Sequence, residues 1–114
     1  METNLERGEV VWVDFGNPRG SEPAGVLPAL VIQNDVGNRF SPNTIVCAIT
    51  RTIKTYPVDV VVETSESGLQ HRSNVNCSLI LTVTQDRIIS RSRKLPPERL
   101  EDVDKALKIS VGLL

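Results

Sequence analysis

Residues 10–33 read VVWVDFGNPRGSEPAGVLPALVIQ, and this stretch decides the fold class. Two apolar runs rich in valine, residues 10–15 and 29–33, are separated by a segment dense in glycine and proline. Runs of this kind, bounded by glycine and proline, are typical of β-strands. The connection is too short to hold the helix that a parallel crossover requires, so we expect an antiparallel pair.

The same pattern continues along the chain. Further strands are predicted at residues 44–50, 58–63 and 74–83, with a short sixth candidate at residues 87–89. Their close spacing favours an antiparallel meander curled into a small barrel over a sheet with crossover helices. The polar segment 34–43 is rich in turn residues, and its pattern leaves open whether it holds a single helical turn.

The C-terminal segment, residues 96–114, has a different pattern and reads PPERLEDVDKALKISVGLL. Prolines suit the start of a helix, acidic residues follow in the first turn, and Gly112 offers an end. One apolar stripe at helical spacing comprises Leu100, Val103, Ala106, Leu107, Ser110, Val111 and Leu114. We therefore predict one amphipathic helix that packs on the barrel, with the stripe facing the core or a second subunit.

Length and composition indicate one domain over residues 1–114. The formal net charge is -1, so a polyanion would have to bind to a local cluster of basic residues. No apolar run approaches the roughly 18 residues of a membrane span, and the first ten residues lack a signal peptide's basic start and apolar middle. We expect a soluble cytoplasmic protein with no membrane partner.

The two cysteines, Cys47 and Cys77, form no CxxC pair and have no histidine at metal-ligand spacing. Their pattern therefore indicates buried free thiols rather than a zinc site, a redox motif or, in a reducing compartment, a disulfide. No metal ion and no cofactor are expected.

Basic residues concentrate in residues 86–94, DRIISRSRK, while Arg39, Arg51 and Lys54 lie beside strand ends. Taken singly, such residues usually solvate a surface, and a groove for phosphates requires loops that bring several together. The chain has only one Trp, one Tyr and two Phe, so a broad platform for stacking bases is not expected.

Candidates for catalysis are few, because His71 is the only histidine and no Ser-His-Asp arrangement is recognisable. Cleavage of RNA needs less machinery, since the 2′-hydroxyl can attack its own phosphate and the protein supplies proton transfer and charge stabilisation. Glu22 in the glycine-rich loop and Thr50 at a strand end are a candidate set for this chemistry. The alternatives are ordinary ones: loop glutamates solubilise, strand-end threonines cap turns, and His71 suits a surface loop.

Two ungapped motifs carry a resemblance to a known family. RGEVVWVDFGNPRGSE (residues 7–22), followed by PALVIQNDVGNRFSPNTIVCAIT (residues 28–50), closely resembles the MazF/PemK (Kid) family of toxin endoribonucleases. The similarity continues more loosely through SGLQHRSNVNC, TVTQDRI and the final KISVGLL. It implies an SH3-like barrel of the MazF/CcdB type with a C-terminal helix, and a homodimer whose RNA groove crosses the subunit interface.

The resemblance also implies function. Toxins of this family cut single-stranded RNA at short sequence sites, without the ribosome, a metal or a cofactor, and leave a 2′,3′-cyclic phosphate and a 5′-hydroxyl. A MazE-like antitoxin lays its acidic C-terminal segment along the groove, and toxin and antitoxin bind DNA together. By matching motifs, the catalytic residues are Glu22 and Thr50, and the RNA-binding residues are Arg19, Ser21, Asn38 and Arg51.

Leu27 departs from the family pattern, which has an arginine at this position that handles the scissile phosphate together with the threonine matched by Thr50. Leucine offers no donor or charge, and losing a donor aimed at developing charge typically costs on the order of a hundredfold in rate. Three accounts remain open: an engineered substitution, a natural variant that recruits Arg19, Arg51 or His71, or a homologue that no longer cleaves RNA.

A second departure concerns base selection. Ser78, Leu79 and Leu81 occupy positions where the family often has acidic or amide residues and arginine. The residues that choose the cleavage sequence in this chain are therefore not predicted by the resemblance.

Non-catalytic functions are the alternatives. The CcdB toxins, which poison DNA gyrase, have a similar barrel but carry a tryptophan near the C-terminus, whereas this chain ends SVGLL and has its tryptophan at position 12. A catalytically dead module that binds RNA or antitoxin is the other alternative.

Overall fold

The computed structural model describes residues 4–17 and 19–114. The elements in chain order are β1 (Glu9–Asp14), β2 (Val26–Val31), α1 (Asp35–Phe40), β3 (Asn43–Thr50), β4 (Asp59–Val62), α2 (Thr64–Ser67), β5 (Ser73–Thr84), a 3-10 turn (Gln85–Arg87), β6 (Ile88–Lys94) and α3 (Pro97–Ser110). The predicted strands and the C-terminal helix are therefore present, and the fold is mainly β.

The six strands form one antiparallel sheet in the order β4-β5-β3-β2-β1-β6. The predicted pairing of consecutive strands is right for β1, β2 and β3 and for β4 with β5, and it is wrong for β3 with β4 and for β5 with β6. The long β5 lies between β3 and β4, and β6 pairs with β1 at the far side of the sheet. Alternation of apolar residues shows which face a strand buries, but it carries little information about which strand is its partner.

The sheet curls into a half-barrel. Strands β4 and β6 are at opposite ends of the strand order, yet α2, which follows β4, contacts β6. The Ser92 hydroxyl donates to the Ser67 carbonyl over 2.8 Å, and the Arg93 guanidinium donates to the Ser65 carbonyl over 2.6 Å. Gly68 ends α2 at a φ of 76°, and a Cβ there would collide with the Ser92 hydroxyl. Glycine is therefore required where the two edges of the sheet meet.

Apolar side chains are buried on both faces of the sheet. Neighbouring residues of β1 point to opposite faces, so Val10 belongs to one core cluster and Val11 and Val13 to the other. Val103 and Ala106 of α3 are buried in the first cluster, which confirms that the helix packs on the barrel.

The predicted stripe of α3 is only partly buried. The α-helix ends at Ser110, so Val111 and Leu114 of the predicted stripe lie beyond it and are 58% and 70% exposed in the single chain. Of the helices in residues 4–17 and 19–114, α3 is the longest at 14 residues, and none combines the length and apolar character needed to cross a bilayer.

Several element boundaries differ from the predictions. β2 begins three residues earlier, at Val26, and β6 continues to Lys94, where polar side chains are tolerated because it is an edge strand. The segment left open contains the six-residue α1. Helix α2 was not predicted, although Glu63 and Glu66 form a capping box around its first turn.

Candidate active site

A cavity of about 660 Å³ lies beside the C-terminal end of β3, and we name it the strand-end cavity. Its lining comes from β1, β2, β3, the start of β5 and the loop after α2, and consists of Trp12, Leu27, Pro28, Ile49, Thr50, Arg51, Gly68, Leu69, Gln70, His71 and Ser73. Three of the residues singled out by sequence, Leu27, Thr50 and Arg51, are thus brought together.

The strand register explains the meeting of Leu27 and Thr50. Strands β2 and β3 are paired as far as Ala29 and Ala48, and both Leu27 and Thr50 lie two residues beyond this last pair, where they line the same cavity. On its other side, Thr50 pairs with Asn74 of β5. The Thr50 hydroxyl donates to the Thr52 carbonyl over 3.4 Å, which is long for a hydrogen bond, so it stays available to a ligand.

His71 joins this cavity from the loop that follows α2. The Ser73 hydroxyl, buried at the start of β5, donates to the His71 carbonyl over 2.8 Å and fixes the backbone there. Sequence reasoning placed His71 on a surface loop, which is where it lies, but its proximity to Thr50 depends on the pairing of β5 with β3 and left no signal in the sequence.

A second cavity, of about 340 Å³, lies between the β1–β2 loop and β5, and we name it the loop cavity. Arg19 and Glu22 line it together with Asn17, Arg87 and residues 81–84. The base of the loop is closed by backbone bonds between Gly16 and Gly25 and between Phe15 and Gly25, of 2.8 and 2.9 Å. Glu22 and Thr50 therefore line different cavities of one chain. Ser21, next to Glu22 in the β1–β2 loop, is exposed.

Asn38 is buried, whereas a residue that binds RNA is expected to be exposed. It is 2% exposed on α1, accepts from the Thr44 hydroxyl over 2.7 Å and donates to the Gln33 carbonyl over 2.9 Å. Its amide is thus occupied within the protein, because the polar side chains of this segment bond to one another and to β3 rather than to solvent.

The basic residues of β6 are engaged in contacts within the protein. Arg91 pairs with Glu9, Lys94 with Glu6, and Arg93 donates to the carbonyl of Ser65. These three side chains are therefore bound to the protein itself, whereas Arg87 of the same basic run lines the loop cavity.

The two cysteines are buried and free, as predicted. A hydrogen bond with the Cys77 thiol, followed by burial, raises the pKa of Cys47 above its ordinary value, which disfavours the reactive thiolate. Among the described residues, no group of three or more His, Cys, Asp or Glu side chains could hold a metal ion.

Known proteins resemble this chain over nearly its whole length. Residues 6–111 match the model of the family described as PemK-like, MazF-like toxin of type II toxin-antitoxin system. Endoribonuclease EndoA of Bacillus subtilis (strain 168) is 39% identical over 112 residues, which are 96% of this chain and 97% of EndoA.

Solved structures share the fold. An endoribonuclease in complex with its cognate antitoxin from Mycobacterial species superposes with a TM-score of 0.84 at 25% identity, covering 96% of this chain and 97% of that one. MazF from Deinococcus radiodurans superposes with a TM-score of 0.82 at 23% identity, covering 97% and 99%. The predicted fold and the resemblance drawn from the two motifs are both confirmed: this chain belongs to the PemK-like, MazF-like family of toxins of type II toxin-antitoxin systems.

Proposed function

We propose that this chain is a toxin that acts as an endoribonuclease on single-stranded RNA, and that the RNA is cut in the strand-end cavity. The observation that carries the proposal is the meeting of Thr50 and Arg51 in a cavity large enough for a nucleotide. Membership of the toxin family and the name of the 39% identical EndoA support the same activity.

The reaction we propose is transesterification within the RNA. The 2′-hydroxyl attacks the adjacent phosphorus and the 5′-oxygen leaves, which gives a 2′,3′-cyclic phosphate and a 5′-hydroxyl. Because the nucleophile belongs to the substrate and is already in place, the protein supplies orientation, proton transfer and stabilisation of the more negative phosphorus centre. This chemistry requires neither a metal ion nor the ribosome.

Thr50 is the residue of this cavity that we assign to the scissile phosphate. Its hydroxyl is held only by a long bond to Thr52 and can donate to a phosphoryl oxygen. Leu27, which lines the same cavity, offers only an apolar wall to the nucleotide.

The β1–β2 loop is assigned to RNA on either side of the cut. Arg19 suits a phosphate, and Ser21 and Glu22 suit the hydrogen-bonding edges of unpaired bases. Since Glu22 lines the loop cavity, we assign it to nucleotide binding in the single chain, and this contact would contribute to the choice of cleavage sequence.

Two protein partners belong to the proposal. A MazE-like antitoxin would silence the toxin through an acidic C-terminal segment laid over the same cavities, and the similar mycobacterial endoribonuclease is in complex with its cognate antitoxin. A homodimer would cover apolar side chains that one chain leaves exposed, among them Ile89, Val111, Leu113 and Leu114. We also propose a cytoplasmic location, because the RNA substrate and the antitoxin would both be met there.

The test is to incubate purified protein with a long RNA in the presence of a chelator and to map new 5′ ends. We expect discrete cuts at a recurring short sequence, with 5′-hydroxyl and cyclic phosphate termini. Absence of cleavage by wild type and by Leu27→Arg would reject the proposal. If the protein then still bound RNA, it would be a non-catalytic binding module, the alternative that Leu27 favours.

A further inference from the structure

The strand-end cavity is lined without a single carboxylate among the described residues. A base is nevertheless needed to take the proton of the attacking hydroxyl. Arginine stays protonated in proteins, and a threonine hydroxyl is a poor base. His71, the one histidine of the chain, is the lining side chain whose imidazole can both accept and donate a proton.

We propose that His71 is the general acid–base of the strand-end cavity and that Arg51 is its anion-binding group, an assignment that rests on the proposed ribonuclease function. The pair would act on the scissile phosphodiester of single-stranded RNA together with the Thr50 hydroxyl. Glu22, in the loop cavity, takes no part in this proton transfer.

Arg51 differs from most other arginines because, in the described part of the chain, its charge is not paired with an acidic side chain. Arg7 pairs with Asp104, Arg72 with Glu63 and Arg99 with Glu66, over 2.7, 3.0 and 2.9 Å. Within residues 4–17 and 19–114, the guanidinium of Arg51 has no hydrogen-bond or ion-pair partner. A cation without a counter-charge on a cavity is available for phosphate, which a guanidinium binds through two parallel hydrogen bonds.

The backbone of His71 is fixed at the same strand pairing that places Thr50. The hydroxyl of Ser73, which is 3% exposed, donates to the His71 carbonyl. The next residue, Asn74, pairs with Thr50 in the sheet. The other end of the loop is Gly68, packed against β6. Catalytic groups act efficiently when the backbone that carries them is held in this way.

The charges around His71 come from three elements. Arg51 follows β3, Arg72 is next in the chain and is balanced by Glu63 at the start of α2, and Arg93 of β6 donates to a carbonyl of α2. Arg51 is therefore the unbalanced charge of the cavity.

The proposed step conserves protons. Neutral His71 takes the proton of the 2′-hydroxyl while the bond from O2′ to phosphorus forms. The extra negative charge on the phosphoryl oxygens is met by Arg51 and by the hydroxyl of Thr50. The imidazolium then returns the proton to O5′ as the bond from phosphorus to O5′ breaks, which leaves the enzyme unchanged.

The experiment uses the full chain and an RNA that contains one mapped cleavage site. His71→Ala should lower kcat by about a hundredfold to ten-thousandfold with KM within a few-fold, and added imidazole should restore part of the rate. The pH dependence of kcat should lose one limb in this variant. Thr50→Ala should not respond to imidazole. Arg51→Ala should lower kcat/KM by about a hundredfold, whereas Arg39→Ala, which removes an exposed arginine outside both cavities, should be close to wild type.

The outcomes separate the two claims. If wild type cleaves RNA and a folded His71→Ala or His71→Gln does so at an unchanged rate, the inference is wrong and the ribonuclease function stands. If imidazole fails to restore any rate to a variant whose thermal melt matches wild type, His71 has no acid–base role. If neither wild type nor Leu27→Arg yields new RNA ends, both claims fall.

Discussion

Leu27 of β2 and Arg51, which directly follows β3, line the same cavity, one apolar and one charged, and Thr50 lies next to the arginine in the chain. The cavity therefore has a charged side and a side where a second donor would fit. We propose that the guanidinium that binds the phosphate is that of Arg51 at the end of β3, and not one from β2.

This relationship predicts a rescue. Leu27→Arg should change the activity of wild type by less than about threefold, since Arg51 already binds the phosphate, but in an Arg51→Ala background it should restore at least about tenfold of the lost kcat/KM. The measurement is a double-mutant cycle on one RNA substrate. Additive effects of the two substitutions would show that the two positions serve different groups.

Glu22 is predicted to affect binding more than chemistry, because it lines the loop cavity and not the strand-end cavity. Glu22→Gln should raise KM several-fold and leave kcat within about threefold. Glu101→Gln, on the exposed side of α3, is the matched control. A fall in kcat of a hundredfold with unchanged KM would instead assign Glu22 to proton transfer, through movement of its loop or from a second subunit.

Asn38 is predicted to support the fold and not to bind RNA. Asn38→Ala leaves the Thr44 hydroxyl and the Gln33 carbonyl without their partner, so it should lower the free energy of unfolding by about 1 to 3 kcal/mol in urea denaturation. The KM for RNA of the folded fraction should stay at the wild-type value. An unchanged unfolding curve together with a raised KM would reverse this assignment.

The sequence predicted the fold class because glycine and proline mark the loops and valine-rich runs mark the strands. It could not predict that β6 crosses to β1, since no local feature names a strand's partner. In the strand-end cavity, Thr50 and Arg51 are adjacent in the sequence, whereas His71 becomes their neighbour only when the loop after α2 returns to β5. The burial of Asn38 could not be predicted, because a polar turn segment gives no sign that its amides are satisfied internally.

The ion pair of Glu66 with Arg99 predicts a pH dependence of stability. Arg99, and then the backbone N–H of Glu63, hold the pKa of Glu66 below its ordinary value. A carboxyl group with a lowered folded-state pKa stabilises the protein above its unfolded pKa, and this contribution is lost as pH falls through the folded value. Glu66→Gln should therefore cost about 1 to 2 kcal/mol of unfolding free energy at pH 7.

Unfolding measurements at low pH test whether the charge of Glu66 is what stabilises the protein. Below about pH 4, the difference in unfolding free energy between wild type and Glu66→Gln should shrink, because the wild-type carboxyl is protonated as well. A difference that stays constant between neutral and acidic pH would mean that packing, and not charge, makes Glu66 stabilising. Glu101→Gln, on the exposed face of α3, should show no such dependence.

The central claim is that RNA is cut beside the Thr50 hydroxyl, and the most direct measurement compares kcat and thermal melts of wild type, Thr50→Ala and Thr50→Ser on the mapped RNA. We expect Thr50→Ala to lose about a hundredfold in kcat with a nearly unchanged melt, and Thr50→Ser, which keeps the hydroxyl, to retain most of the rate. A well-folded Thr50→Ala that cleaves the same RNA at the wild-type rate would contradict it.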